Sequence, residues 1–298
     1  MSLTSAEATD MFREPPDRYL DVGAGEAAYR RVGTGPDVLF VHGWPVSGAT
    51  WRKLLPHLVD HVTCHVIDLP SAGSSRYDAS TPLSIGQHIE SVKGVVDILD
   101  LDEVAVVGHN SGGLIARHAM VGDERLRSMG LINTEPADPS WRFRSFVAAS
   151  RLPGLTAGLG WAAGRRRVRR MRLVFGDAFV DRSLLDGEFA EFFFEPLHND
   201  SGYRSASAKV LKSFEMRYVT ELTDIHAQID VPVKLVWGDQ DPFFPLDRAQ
   251  AMVSEFPDAT IDVIENIGLF SHEEAPIDVA RSLLSTIVDT NSDPTRSD

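Results

Sequence analysis

The chain has 298 residues, with a hydrophobic share of 43% and a charged share of 24%, which suits one globular core with an elaboration and excludes a largely disordered chain. Its formal net charge of −14 argues against a general phosphate-binding surface, so no nucleic-acid partner is expected. No run approaches the roughly 18 apolar residues of a membrane helix, and the start, MSLTSAEATDMFREPP, lacks a basic-then-apolar secretory pattern, so no membrane partner and a cytoplasmic location are expected.

Residues 1–18 read as an N-terminal arm. Two polar segments, Tyr19–Gly23 and Glu26–Val32, predict an antiparallel leading hairpin turned at Gly23-Ala24-Gly25. Short apolar blocks follow at Val38–Val41, Val62–Leu69, Val104–Val107, Met129–Ile132, Val233–Trp237 and Ile261–Ile264, each bounded by Gly, Asp or Pro. Such blocks read as strands buried on both faces, and their alternation with helical patterns predicts an α/β fold: a mostly parallel, eight-stranded sheet with helices on both faces. Cys64, inside VTCHVIDL, is expected as a buried free thiol.

The alternation breaks between about Pro136 and Thr223, where the chain is helical and rich in aromatics such as Trp141, Phe143, Phe146 and the Phe189 to Phe194 cluster. This predicts a helical cap at 136–223 between core segments 19–135 and 224–290, inserted over the carboxyl ends of the strands, where open α/β sheets place their ligand crevice. Within it, Arg165, Arg166, Arg167, Arg169, Arg170 and Arg172 alternate with Val168, Met171 and Val174 at roughly helical spacing, which predicts an amphipathic helix with a solvated basic face. Residues 291–298, NSDPTRSD, read as a frayed tail.

The sharpest chemical signal is VAVVGHNSGGLIARHAM, a buried strand running into Gly108-His109-Asn110-Ser111-Gly112 and then a helix. Small residues flanking a strained central position form a nucleophile elbow, which lifts the central side chain above the sheet. That central residue is Asn110.

With this elbow, the chain resembles the α/β-hydrolase superfamily, in its branch of epoxide hydrolases, haloalkane dehalogenases and fluoroacetate dehalogenases, over roughly residues 19 to 288. The other landmarks are His42-Gly43-Trp44-Pro45, Asp68-Leu69-Pro70-Ser71-Ala72-Gly73, Trp237-Gly238-Asp239-Gln240-Asp241 and Gly268-Leu269-Phe270, in the family's order. The resemblance implies an Asp at the elbow attacking carbon in an epoxide or alkyl halide, or a Ser in ester hydrolases, yet Asn110 has neither an ionised oxygen nor a hydroxyl. It places the acid at Asp241 and the histidine at Leu269, and leucine can neither accept a proton nor activate water. Deprived of an imidazole, Asp241 is expected to be solvated or bonded to backbone.

Other residues could compensate. Ser111 stands one step along the elbow, where its side chain is expected to point elsewhere. His272 lies in Ser271-His272-Glu273-Glu274, a capping-box pattern that predicts a first-turn, outward or partly packed ring. His42 and His109 flank the site in positions the family uses structurally, and Glu135 stands where some relatives supply the acid or, more simply, just before a helix. The backbone N–H groups of Trp44 and Ser111 are implied as the oxyanion hole, with the Trp44 ring equally a packed aromatic of the pocket floor. Tyr203 and Tyr218 resemble the phenols with which epoxide hydrolases polarise oxygen, but no local motif pins either, and packing or a surface place is the simpler expectation for both.

Three functional expectations follow. The first is a hydrolase lineage binding a small hydrophobic molecule between core and cap, with covalent hydrolysis lost or repurposed. The second is a working hydrolase of an epoxide, C–halogen or ester bond, which requires Asn110 to become aspartate and another group to activate water; the third is a non-enzymatic receptor. No cofactor and no metal site are expected, and exposed apolar residues of the cap leave room for a homodimer.

Overall fold

The computed structural model describes residues 3–288; the tail expected at 291–298 lies outside them, as do residues 289 and 290 of the expected core. Eight strands make one sheet: β1 (Arg18–Asp21), β2 (Glu26–Gly33), β3 (Asp37–Val41), β4 (Thr63–Asp68), β5 (Val104–His109), β6 (Leu126–Ile132), β7 (Val233–Gly238) and β8 (Ala259–Ile264). Their order is β1-β2-β4-β3-β5-β6-β7-β8. The leading hairpin pairs antiparallel, as does β2 with β4, and every later pair is parallel.

The apolar blocks become strands because both faces of the inner sheet are covered. β4, β5 and β7 are buried at every residue, whereas edge strand β8 has only half-buried and exposed positions. A fully buried Val or Leu contributes about 1.5–3 kcal/mol over an exposed one, which favours continuous apolar runs in the centre. Cys64 is buried within β4, and burial pushes its thiol up.

Helices α1 (Ser5–Met11), α2 (Ile85–Leu99) and α3 (Ser111–Met120) precede the long connection between β6 and β7. That connection holds α4 (Trp141–Ser150), α5 (Leu155–Ala163), α6 (Arg166–Arg169), α7 (Glu195–Asn199), α8 (Ser201–Lys212), α9 (Arg217–Thr220) and α10 (Leu222–His226). After β7 come α11 (Leu246–Val253), α12 (Ser271–Glu274) and α13 (Pro276–Ile287). The chain leaves β3 toward β4 on one side and later returns to β5 on the other, so the loops after β3 and β5 diverge. The crevice between such loops is where parallel sheets hold ligands.

Two local expectations are corrected. The segment expected as an arm is folded, because Thr4 and Glu7 form a reciprocal capping box at the start of α1, and Arg30 of β2 donates to the carbonyls of Met11 and Glu14. The basic run is not one amphipathic helix. It breaks at Met171, which is extended, and its guanidinium groups are drawn to carboxylates from elsewhere: Asp186 pairs with Arg166, Arg169 and Arg170, and Asp177 with Arg172. Among the described residues no helix is long and apolar enough to cross a membrane.

Candidate functional site

Asn110 links β5 to α3 with φ 53° and ψ −136°, a backbone conformation that side chains rarely adopt. Holding a non-glycine residue there costs on the order of 1–3 kcal/mol, and the surroundings supply it. The Asn110 amide donates toward the carbonyls of Ile132 and Asn133, and the Thr134 hydroxyl lies 2.8 Å from the Asn110 carbonyl. The flanking glycines are required by contact. A Cβ on Gly108 would come within 2.6 Å of the Gly113 Cα, and one on Gly112 within 2.2 Å of the Val41 carbonyl.

Asn110 Oδ1 accepts the Ser111 amide hydrogen at 2.7 Å, and Ser111 Oγ accepts the Trp44 amide hydrogen at 3.0 Å. The two N–H groups that the resemblance implies as an oxyanion hole are thus brought together, and each is engaged by a neighbouring side chain. The Trp44 indole turns the other way and donates to the carbonyl and hydroxyl of Ser207 on α8.

Leu269 is buried with its backbone pinned on both sides. Its N–H donates to the Ala178 carbonyl at 2.9 Å, and its carbonyl accepts from His109 Nε2 at 3.0 Å. Beside it, the ring of Phe270 stacks on Phe179 at 4.9 Å, tying this loop to the connection between β6 and β7.

Asp241 is buried and bonded rather than solvated. The Phe243 and Phe244 amides donate to Oδ1 at 2.8 and 3.1 Å, and Asn133 Nδ2 donates to Oδ2 at 2.9 Å. Burial nevertheless pushes its carboxyl up to about 7, against these donors and with the nearby Glu135 carboxyl adding to the rise.

None of the histidines weighed from the sequence lies on the site as a base. His42 donates from Nδ1 to the Gly43 carbonyl and accepts the Leu69 amide at Nε2. His109 packs its ring against Phe270 and His272, and burial pushes it down to about 3. The outward or partly packed ring expected at His272 is corrected to a fully buried one: it lies beneath Trp51, pairs with the Thr50 hydroxyl, and burial holds it well below the usual range. Its helix starts from Phe270 with no side-chain cap, because Ser271 Oγ donates instead to Asn133 Oδ1.

Between this floor and helices α4, α5 and α8 lies a cavity of about 480 Å³. Asn110, Ser111, Glu135 and Leu269 line it, and its other walls are largely aromatic and aliphatic, Phe143 and Phe243 among them. Tyr203 and Tyr218 are not among its walls. The Tyr203 hydroxyl accepts the Gly73 amide, and the Tyr218 hydroxyl accepts from Arg217. Ionisable groups on the described walls are Glu135, Arg142 and Arg204. Of these only Glu135 stood out in the sequence; the helical spacing of Arg204, Ser207 and Leu211 on α8 is the signal that carries the cavity-facing side of that helix. Among the described residues no cluster of His, Cys, Asp and Glu is arranged to hold a metal ion.

The profile of the Alpha/beta hydrolase family matches residues 38–282. A pimeloyl-(acyl-carrier protein) methyl ester esterase of Aeromonas salmonicida is 23% identical over 257 residues, covering 84% of this chain and 96% of that enzyme. The esterase of the same description from Aeromonas hydrophila is 29% identical over 126 residues, which is 42% of this chain and 45% of that protein, under half of its length. Among solved structures, an alpha/beta hydrolase fold protein from Burkholderia ambifaria superposes with TM-score 0.77 at 21% identity, covering 91% of this chain and 98% of that one. The epoxide hydrolase CorEH, solved without ligand, gives TM-score 0.75 at 18% identity over 90% of this chain and 97% of its own. At such identities the likeness is one of fold. With the family profile spanning most of the sequence and the sheet, elbow and strand order in agreement, this chain belongs to the alpha/beta hydrolase family.

Proposed function

We propose that this protein binds a small, largely apolar molecule in the cavity beneath its helical cap, and that it descends from hydrolases of the epoxide hydrolase and dehalogenase type whose covalent chemistry has been lost or repurposed. The observation that carries this reading is the cavity wall itself. Asn110 and Leu269 share it, and no histidine, aspartate or cysteine stands among its described residues. An amide is a poor nucleophile, and Ser111 has no adjacent base to take its proton while its oxygen receives the Trp44 amide. A pocket of this kind can still orient a ligand and hold it away from water, which supports binding or a reaction without a covalent intermediate.

Thermal-shift titration with small apolar esters, epoxides and haloalkanes, with product analysis of the same mixtures, tests the reading. Saturable stabilisation without hydrolysis is expected. Hydrolysis of any of them by the unsubstituted protein above the rate in buffer would overturn it. Conversion of a bound ligand by a route other than hydrolysis would mark a repurposed enzyme, and binding without conversion a receptor.

A further inference from the structure

The Thr134 hydroxyl, just past the end of β6, has three polar neighbours at hydrogen-bonding distance. Arg117 Nη2 donates to it at 2.9 Å, the Asn110 carbonyl oxygen lies 2.8 Å away, and Glu135 Oε2 lies 2.9 Å away. A hydroxyl has one hydrogen to give and two lone pairs to receive with. If Glu135 were ionised, its carboxylate and the Asn110 carbonyl would compete for that one hydrogen, and one pair of oxygens would face each other with no proton between them. A protonated Glu135 removes the conflict: it donates to Thr134, Thr134 donates to Asn110, and Arg117 fills the remaining lone pair.

The charged groups around Glu135 permit this. Arg117, from α3, aims its nitrogens at the carbonyls of Gly113 and Glu135, at Thr134 and at His226 Nε2, and not at the Glu135 carboxyl. His226 of α10 in turn donates from Nδ1 to Glu255, which lies beyond α11. The Glu135 carboxyl raises Asp241, on the loop after β7, so ionising both is disfavoured, and the Thr134 geometry is what assigns a proton to Glu135. Burial favours the neutral form of Glu135, which is 1% exposed, against Arg117 and the hydrogen bonds from its own N–H and the Thr134 hydroxyl. Beside it on the cavity floor, position 110 holds an uncharged amide where a second carboxylate would have added to the repulsion.

We propose that Glu135 stands in the cavity as a neutral carboxylic acid, its proton given to Thr134 and its other oxygen left to accept a hydrogen bond from a neutral, hydroxyl-bearing apolar ligand. The inference rests on the cavity-binding reading proposed above and narrows the ligand to an apolar alcohol. An ionised carboxylate at the same place would select a cation instead, and a wall without a carboxyl would show no preference.

Two measurements test it. In ligand-free Asp241→Asn protein at pH 7, which lacks the neighbouring carboxyl that titrates at about 7, the infrared stretch of a protonated carboxyl is expected to be present and to lose intensity when Glu135→Gln is added; identical spectra would overturn the proposal. Binding of 2-phenylethanol, ethylbenzene and 2-phenylethylammonium is then compared by calorimetry. The alcohol is expected to bind about 5-fold or more tighter than ethylbenzene, as one net hydrogen bond allows, and the ammonium weakest. Glu135→Gln, which can donate to Thr134 and accept from the ligand as the neutral acid does, should keep the preference, and Glu135→Leu should lose it. Tightest binding of the ammonium, or loss of the alcohol preference in Glu135→Gln, would overturn the proposal without any need for the leucine variant to fold. If none of the three probes binds, the cavity-binding reading fails and the alcohol assignment with it, while the infrared band still decides the state of Glu135.

Discussion

His109 donates from Nε2 to the backbone carbonyl of Leu269 at 3.0 Å, so the residue just before the elbow's apex holds in place the loop on which the cavity-lining leucine stands. The ring is fully buried and neutral, with burial holding it at about 3 against a usual 6.5. Replacing it by Phe leaves the Leu269 carbonyl without its donor, and a loss of about 1–3 kcal/mol is expected in urea denaturation. The pH dependence has a definite sign. A base whose folded value is depressed contributes stability that is complete above 6.5 and is lost as pH falls from there toward about 3. The parent should therefore lose stability more steeply than His109→Phe across that window, and equal slopes would mean that the ring is not buried neutral.

Asn110→Asp supplies the oxygen nucleophile that the amide lacks, in a position where Oδ1 already accepts the Ser111 N–H at 2.7 Å. Attack on a reactive epoxide or alkyl halide should then form an ester at this residue. With Leu269 still in place no group on the wall activates water for the second step, so the ester should persist. Intact mass spectrometry should show one adduct on Asn110→Asp and none on the parent, and adding Leu269→His should convert the adduct into turnover. An unshifted mass in the single variant would show that the apex cannot reach a bound electrophile.

Asp241 should destabilise the folded chain as pH rises. Its carboxyl ionises at about 7 when folded and at the usual 3.8 when exposed, so no penalty exists below 3.8, and it grows as pH rises until about 7, above which it is constant. A shift of this size corresponds to at most ~4 kcal/mol. In Asp241→Asn that slope between pH 4 and 7 should vanish. The variant should also lose stability at pH 4, because its new amide would meet Asn133 Nδ2, whose own orientation is set by the Gly238 amide and the Ser271 hydroxyl on Oδ1. Chemical denaturation of the two proteins at a series of pH values reads both effects.

The strands and the elbow were legible because their causes are local or repeated. Gly108 and Gly112 are spaced as they are because a side chain at either would strike Gly113 or Val41, so the motif carries its own packing constraint. The capping box of α1 was equally local, in Thr4 and Glu7, and reading residues 1–18 as an arm passed over it. At Ser271 and Glu274 the same spacing pointed the wrong way, since Ser271 bonds to Asn133 and the Glu274 carboxylate receives the Gly268, Val180 and Asp181 amides. The basic run failed as a helix for a similar reason, its partner Asp186 being supplied by a later loop. Periodicity reports a residue's neighbours along the chain. The partners that decide buried polar groups and ion pairs lie across the fold, and for that reason the weight of Glu135, bracketed by Arg117 and Asp241, was not readable from its own segment.

Trp44 joins the core to the helices above the cavity through one side chain, its indole N–H directed to the Ser207 hydroxyl at 2.8 Å and the Ser207 carbonyl at 3.1 Å, 163 residues away. Trp44→Phe keeps an aromatic wall but removes that donor, and a net hydrogen bond is worth about 0.5–1.5 kcal/mol. The backbone of Trp44 still donates to Ser111 Oγ, so the elbow should be undisturbed. Amide hydrogen exchange should therefore rise several-fold in α8 (Ser201–Lys212) while α3 (Ser111–Met120) is unchanged, because α8 loses an anchor that α3 does not use. If exchange rose equally in both helices, the indole would be supporting the fold as a whole; if it rose in neither, the contact with Ser207 would not be what holds α8 against the core.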